Sequence, residues 1–277
     1  MFNTIASTVC NAVLVIVTIR SKDLHNFSNI LIAVQALGDG IVTWEIPLFA
    51  YHTLTRTTIP VSQCVFLQAL PTVAMNFTTL TVLLIGVERF IMVKYPIWYA
   101  SSNKKVNFTV FMSICSSYSL VIFSASFFSA TEDQVLCFIT DTMKGNAKLL
   151  WLITQVLLNI SVVVVYTKVK NALKCQRGKD KTEAKKVFAS LYIVMCFYIG
   201  GWVTTISTIT FSRVLTEDEI LRQILTLGLA FFASINITIP VFVYYSRSSV
   251  YNREIRHLFG LAPKVAPSSY GKRNNLK

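Results

Sequence analysis

The chain has 277 residues, 53% of them apolar and only 14% charged, which leaves too few charges to clothe a water-soluble domain and excludes that class. Its net charge of +13 comes from 26 Lys and Arg against 13 Asp and Glu, but the bases lie in short gaps between apolar runs rather than on one patch, so they report membrane topology and no nucleic-acid binding is expected. Six scattered cysteines show no CxxC or Cys/His spacing, which argues against a zinc or dithiol redox site.

About twenty apolar residues cross a bilayer, and seven stretches approach that length: 2 to 19, 27 to 51, 62 to 93, 107 to 130, 147 to 169, 185 to 211 and 219 to 245. The pattern predicts an all-α membrane protein, a seven-transmembrane helix bundle over residues 1–260 with a short tail at 261–277. Loops after the odd spans carry Arg20, Lys22, Lys94, Lys104, Lys105, Lys170, Lys174, Arg177, Lys179 and Lys181, while the opposite loops carry Glu132, Asp133, Asp141, Glu217, Asp218 and Glu219. The bias of bases places the N-terminus outside and the C-terminus in the cytoplasm. The first apolar run begins at Met1 without a basic leader, so no cleavable signal peptide is expected.

In the first span Asn11 is the only deeply placed amide, and in the second Asp39, in ALGDG, is an acid at mid-membrane. A buried Asp marks a functional position, with a helix-to-helix hydrogen bond as the structural alternative. Glu45 follows six residues later, either as a pocket acid or as a neutral hydrogen-bonded one, with Pro47 to kink its helix. The fourth span offers Ser116 and Ser117 for close packing. Cys64 and Cys137 lie near span ends on one side, whereas Cys10, Cys115 and Cys196 fall inside apolar runs. Thr216 with Glu219 reads as a capping box for the seventh span. Beyond it, Arg253 and Arg256 oppose Tyr251, Ile255 and Leu258 or Phe259, predicting a short amphipathic cytoplasmic eighth helix at the lipid surface.

The third span closes on GVERFIMVKYPIWY, residues 86–99. Arg89 beside Glu88 is either a snorkelling anchor or a poised ionic switch. Pro96 lies seven residues past the Arg, Tyr99 three further on, and Cys64 twenty-five residues before it.

Together these residues resemble the third span of rhodopsin-like (class A) G-protein-coupled receptors, with Phe90 in place of the Tyr of the Asp/Glu-Arg-Tyr triplet. Asn11 and Asp39 stand at the family's interval of twenty-eight residues. NILIAVQALGDG, ERFIMVKYPIWY and YYSRSSVYNREI are most similar to nematode serpentine chemoreceptors of the Srsx class. The resemblance implies a Cys64–Cys137 disulfide, a G-protein switch of Glu88, Arg89, Tyr166 and Tyr244, and an activation core of Asn11, Asp39, Asn236 and Trp202. Trp202 is also readable as a plain packed aromatic. The motifs are degenerate: Leu158 replaces the fifth-span Pro, Thr204 the sixth-span Pro, and Pro240 with Val241 the Asn-Pro of the seventh. Gly200 and Gly201 offer another source of bending in the sixth.

The same register implies a ligand pocket of Glu45, Thr72, Met75, Asn76, Trp151, Gln155, Trp202, Thr205 and Ala230, and a weak sodium site of Asp39, Thr78 and Asn236. The implied function is to bind a small extracellular ligand at the plasma membrane, possible also in a sensory cilium, and to activate a heterotrimeric G protein. Pro71 stands where amine receptors place their Asp, so a biogenic amine is not expected and the pocket suits a small, mostly neutral molecule, though Glu45 leaves room for a cation. A neuropeptide receptor of the same fold is the alternative; a seven-span transporter or channel would need buried bases facing the acids. No nucleophile, base and orienting group lie together, so neither an enzyme nor a cofactor is expected. The sequons at Asn26, Asn76, Asn107, Asn159 and Asn236 fall within spans or on the cytoplasmic side, and glycosylation is not expected. Only ten residues precede Asn11, about 15 Å of helix, so either a longer native N-terminus or a short span that thins the bilayer locally is expected, the former favoured.

Overall fold

The computed structural model describes residues 2–175, 192–201, 203–205 and 219–261, without the side chains of 175, 219, 220, 222–224 and 229–231. Trp202 and Thr216 thus lie outside the described residues, and Ala230 and Glu219 outside the described side chains. The helices are α1 (Phe2–Arg20), α2 (Phe27–Val42), α3 (Glu45–Thr55), α4 (Val61–Leu67), α5 (Ala69–Lys94), α6 (Pro96–Ser101), α7 (Lys104–Phe128), α8 (Gly145–Cys175), α9 (Tyr192–Thr205), α10 (Glu219–Arg247) and α11 (Ser249–Leu258). Six segments among the described residues are long and apolar enough to cross a membrane, α2 and α3 counting as one, and α9 is a shorter apolar helix.

Local chemistry explains where the helices start. The Asn26 side chain accepts from the Asn29 amide at 2.9 Å to cap α2, Asn103 accepts from the Lys105 and Val106 amides to cap α7, and Ser248 accepts from the Tyr251 amide to cap α11. Pro96 opens α6, where its missing N–H costs nothing.

Two expected single spans are interrupted, each beside a proline. Pro47 cannot donate to the Thr43 carbonyl, which instead accepts from Ile46 at 3.4 Å, and the chain turns at Thr43 and Trp44 between α2 and α3. Pro71 likewise leaves the Leu67 carbonyl without its helical donor, and the third span divides at Gln68 into α4 and α5.

α5 is the axis of the bundle, the most buried of the six membrane-length segments, and it packs against α2, α7 and α8; α1 packs against α2 and α10. Outward positions such as Ile5, Leu120, Phe128 and Ile160 are exposed, the arrangement a lipid solvent requires. Buried hydroxyls answer to carbonyls within their own helices, as in Thr18 to Leu14 (2.8 Å) and Thr81 to Phe77 (2.8 Å). In α7 the packing face differs from expectation. Ser116 and Ser117 point outward, and Cys115, Ser119, Ile122 and Ser126, spaced three and four apart, are buried instead. Thr81 of α5 meets Cys115 there at 3.6 Å.

At one end of the bundle a two-residue antiparallel ladder pairs Ile59 with Val135 and Pro60 with Gln134, and a disulfide joins Cys64 to Cys137. At the other end α11 lies against α1 and α10, burying Tyr251 and Ile255 while Arg253 pairs with Asp23 and Glu254. Leu258, not Phe259, joins the core.

Candidate functional site

At the end opposite the disulfide, Glu88 and Arg89 close α5 with side chains 1% and 9% exposed. Arg89 Nε lies 3.5 Å from Glu88 Oε2, near enough for charge attraction but not aligned as a hydrogen bond. The other carboxylate oxygen is more tightly held. Ser28 of α2 donates to Glu88 Oε1 at 2.7 Å, and the Tyr99 hydroxyl of α6 donates to the same atom. Burial, then the hydrogen bond to Glu88, raise the Tyr99 pKa, so the phenol stays a donor. The Lys104 ammonium covers the Tyr99 ring, 3.2 Å from its centre, and donates to Ser102 at 2.9 Å. Glu88 is therefore the knot of α2, α5 and α6.

Two residues before Glu88, the tight crossing of α5 and α8 requires a glycine. A Cβ on Gly86 would stand 2.6 Å from the Tyr166 ring. Tyr166 is buried, and its hydroxyl lies 3.5 Å from the Val82 carbonyl. The Tyr244 ring lies 5.3 Å from that of Tyr251, whose hydroxyl meets Thr18 at 3.3 Å. Nearer the middle, Asn11 donates to the Ile237 carbonyl at 3.4 Å and so ties α1 to α10.

A cavity of about 210 Å³ runs along the bundle from this region to the disulfide end. Phe138, Ile139 and Thr140, which follow Cys137, line one end of it, and Ile85, Tyr166 and Tyr244 the other. Of the sequence-derived pocket residues, Glu45, Met75, Trp151, Gln155 and Thr205 line it. Thr72 and Asn76 do not. Both are buried inside the helix packing, and Asn76 acts from behind the wall: its Oδ1 accepts from Trp151 Nε1 and Gln155 Nε2, each at 3.1 Å. Asn76 is one residue, about 100° of helix, from Met75, which does face the cavity.

Asp39, Thr78 and Asn236 line the same cavity, as does Asn11. Gln35 donates to both Asp39 oxygens, at 3.0 and 3.1 Å, a partner four residues away that the sequence reading missed although the i, i+4 spacing shows it. Asn236 also sets the spacing of α9 and α10, since a Cβ on Gly201 would stand 2.4 Å from its amide nitrogen. That glycine serves close approach rather than bending. Among the described residues no group of three His, Cys, Asp or Glu could hold a metal ion.

The profile of the serpentine type 7TM GPCR chemoreceptor Srsx family matches residues 4–259. No curated protein matches the chain. The match takes in the Glu88–Arg89 knot, the disulfide and the whole cavity, and this chain belongs to the Srsx family of serpentine seven-transmembrane G-protein-coupled chemoreceptors.

Proposed function

We propose that the protein is a plasma-membrane receptor that takes a small, largely apolar ligand from outside and activates a heterotrimeric G protein at its Arg89 end. The observation that carries this reading is the cavity itself, which connects the disulfide-tethered loop to Tyr166 and Tyr244 at the end where Arg89 lies. Ligand and G protein then favour one rearranged bundle and so favour one another. The disulfide end faces outside, and the basic loops and α11 face the cytoplasm and its lipid surface, as the bias of bases requires. Glu88, Arg89, Tyr166 and Tyr244 form the switch, and Asn11, Asp39, Asn236 and Trp202 the core through which it is coupled. A peptide ligand is disfavoured, because Phe138 and Ile139 pack against Phe49 over the cavity.

The test is a screen of small molecules in cells expressing the receptor with a promiscuous G protein. A response that requires Arg89 supports the reading, and none to any compound at full surface expression overturns it. Dopamine, serotonin and octopamine are expected to be inactive, since Pro71 stands at the amine-receptor carboxylate position. A response to one of them that a pocket substitution abolishes would refute the exclusion.

Sodium is expected to bind weakly at Asp39, Thr78 and Asn236. One carboxylate with neutral oxygens is a poor cation cage, and Gln35 already occupies both Asp39 oxygens. Agonist binding that falls strongly with sodium and loses that dependence in Asp39→Ala would contradict this.

A further inference from the structure

Glu45 differs from the other acids of the bundle. It opens α3 directly after the turn at Thr43 and Trp44, is 7% exposed and lines the cavity. Its Oε2 is sealed from solvent and makes no hydrogen bond. Glu88, by contrast, has Ser28, Tyr99 and Arg89, and Asp39 has Gln35 on both oxygens. No Lys, Arg or His lines the cavity among the described residues.

A buried carboxylate without a partner is costly, and a protonated one still leaves polar atoms unmet, so the site is incomplete in either state. What would complete it must bring positive charge and hydrogen-bond donors to one oxygen of an otherwise largely apolar wall. An inorganic cation fits poorly, since hard cations need several oxygen ligands.

We infer that Glu45 is the anchor of a protonated amine, and that the ligand class is a small organic cation with a hydrocarbon body. The ammonium meets the Glu45 carboxylate from the cavity, and the body lies against Met75, Ile139 and Trp151, which line the same cavity. This rests on the proposed reading of the cavity as the ligand site. It is separate from the amine site that Pro71 excludes, because the carboxylate comes from α3 and not from α5. Dopamine, serotonin and octopamine stay outside the inferred class, whose body is a hydrocarbon without ring hydroxyls.

The experiment uses the purified full-length chain in lipid nanodiscs and measures thermal stabilisation by hexylamine, cyclohexylmethylamine and benzylamine, each beside the alcohol of the same skeleton. At least one amine is expected to raise Tm, with its alcohol and the Glu45→Gln variant each weaker by roughly 30-fold or more in apparent affinity, as for truncation of one partner of a buried charge pair. Glu45→Asp, which keeps the charge, should retain a reduced amine effect and shows that the loss in Glu45→Gln is not one of folding. Equal effects of amine and alcohol, an amine effect unchanged in Glu45→Gln, or no effect of any amine would each overturn the inference. Stabilisation by sodium or magnesium chloride that needs Glu45, without an amine effect, would overturn it in favour of a metal. G-protein signalling is read separately. Glu45-dependent amine binding without signalling leaves the inference standing and defeats the receptor reading, whereas signalling by neutral agonists that ignores Glu45→Gln does the reverse.

Discussion

Arg89→Ala is expected to abolish agonist-driven signalling while most of the protein still reaches the cell surface, and Glu88→Gln to raise signalling without agonist. The two arms follow from the unequal bonding of the pair. Removing one member of a buried ion pair commonly costs about 3–5 kcal/mol because the other charge is stranded. Glu88 is not stranded when Arg89 goes, since Ser28 and Tyr99 still donate to its Oε1. Hydrogen bonds to a charged group are worth about 1.5–3 kcal/mol each, and Arg89 Nε itself makes no aligned bond to Glu88, so the folding loss should stay near about 1 kcal/mol. In Glu88→Gln it is Arg89 that loses its counter-charge, while Ser28 and Tyr99 keep only a neutral amide oxygen, a weaker acceptor, to tie α2 and α6 to α5. The checking measurement pairs surface labelling with a G-protein readout in the same cells. Equal loss of surface protein and signal in Arg89→Ala would make Arg89 a structural anchor and sink the switch.

The features most legible in the sequence were those that repeat along one helix or mark its ends. Apolar run length located the helices, and the Cys64–Cys137 disulfide expected from the family resemblance is present. The adjacency of Glu88 and Arg89 was visible as letters. The rest of that knot was not, because Ser28 stands 60 residues from Glu88 and no periodicity links them. Met75 faces the cavity, whereas one residue on a rotation of about 100° turns Asn76 toward Trp151 and Gln155, a phase that the letters of α5 do not show. In α7 likewise the small residues that pack are Cys115 and Ser119 rather than Ser116 and Ser117, which are exposed. The interruptions at Thr43–Trp44 and Gln68 had a visible cause in Pro47 and Pro71, but hydropathy alone does not tell a proline kink from a break.

Replacing Cys64 and Cys137 together by Ser is expected to silence the ligand response while the raised basal signalling of Glu88→Gln persists. The disulfide closes a separation of 73 residues, for which the chain-entropy relation gives about 4–5 kcal/mol. Much of that loop consists of α5 and α7, which a bilayer keeps as helices in any case, so the expected loss of stability is nearer about 2 kcal/mol, at the low end of the measured range. The local effect is larger. One end of the loop has its own attachments, with Val61 donating to the Asp133 carbonyl at 3.0 Å and Ser62 to Thr131 at 3.1 Å, beside the Ile59–Val135 pairing. Cys137 and the residues after it are held by the disulfide, by one bond from Gln68 to the Cys137 carbonyl at 2.9 Å, and by the packing of Phe138 and Ile139 against Phe49. Cys137 also holds a left-handed backbone, φ 60°, that a non-glycine residue keeps only when its surroundings impose it. Freed from Cys64, the segment should relax and withdraw Phe138, Ile139 and Thr140 from the end of the cavity, while the Glu88 knot at the far end of α5 is left as it was. The measurement is the agonist concentration–response of the double variant, with and without Glu88→Gln, at matched surface expression. An unchanged ligand response would show that the loop does not shape the site, and loss of both responses would show that the disulfide holds the bundle rather than the roof of its cavity.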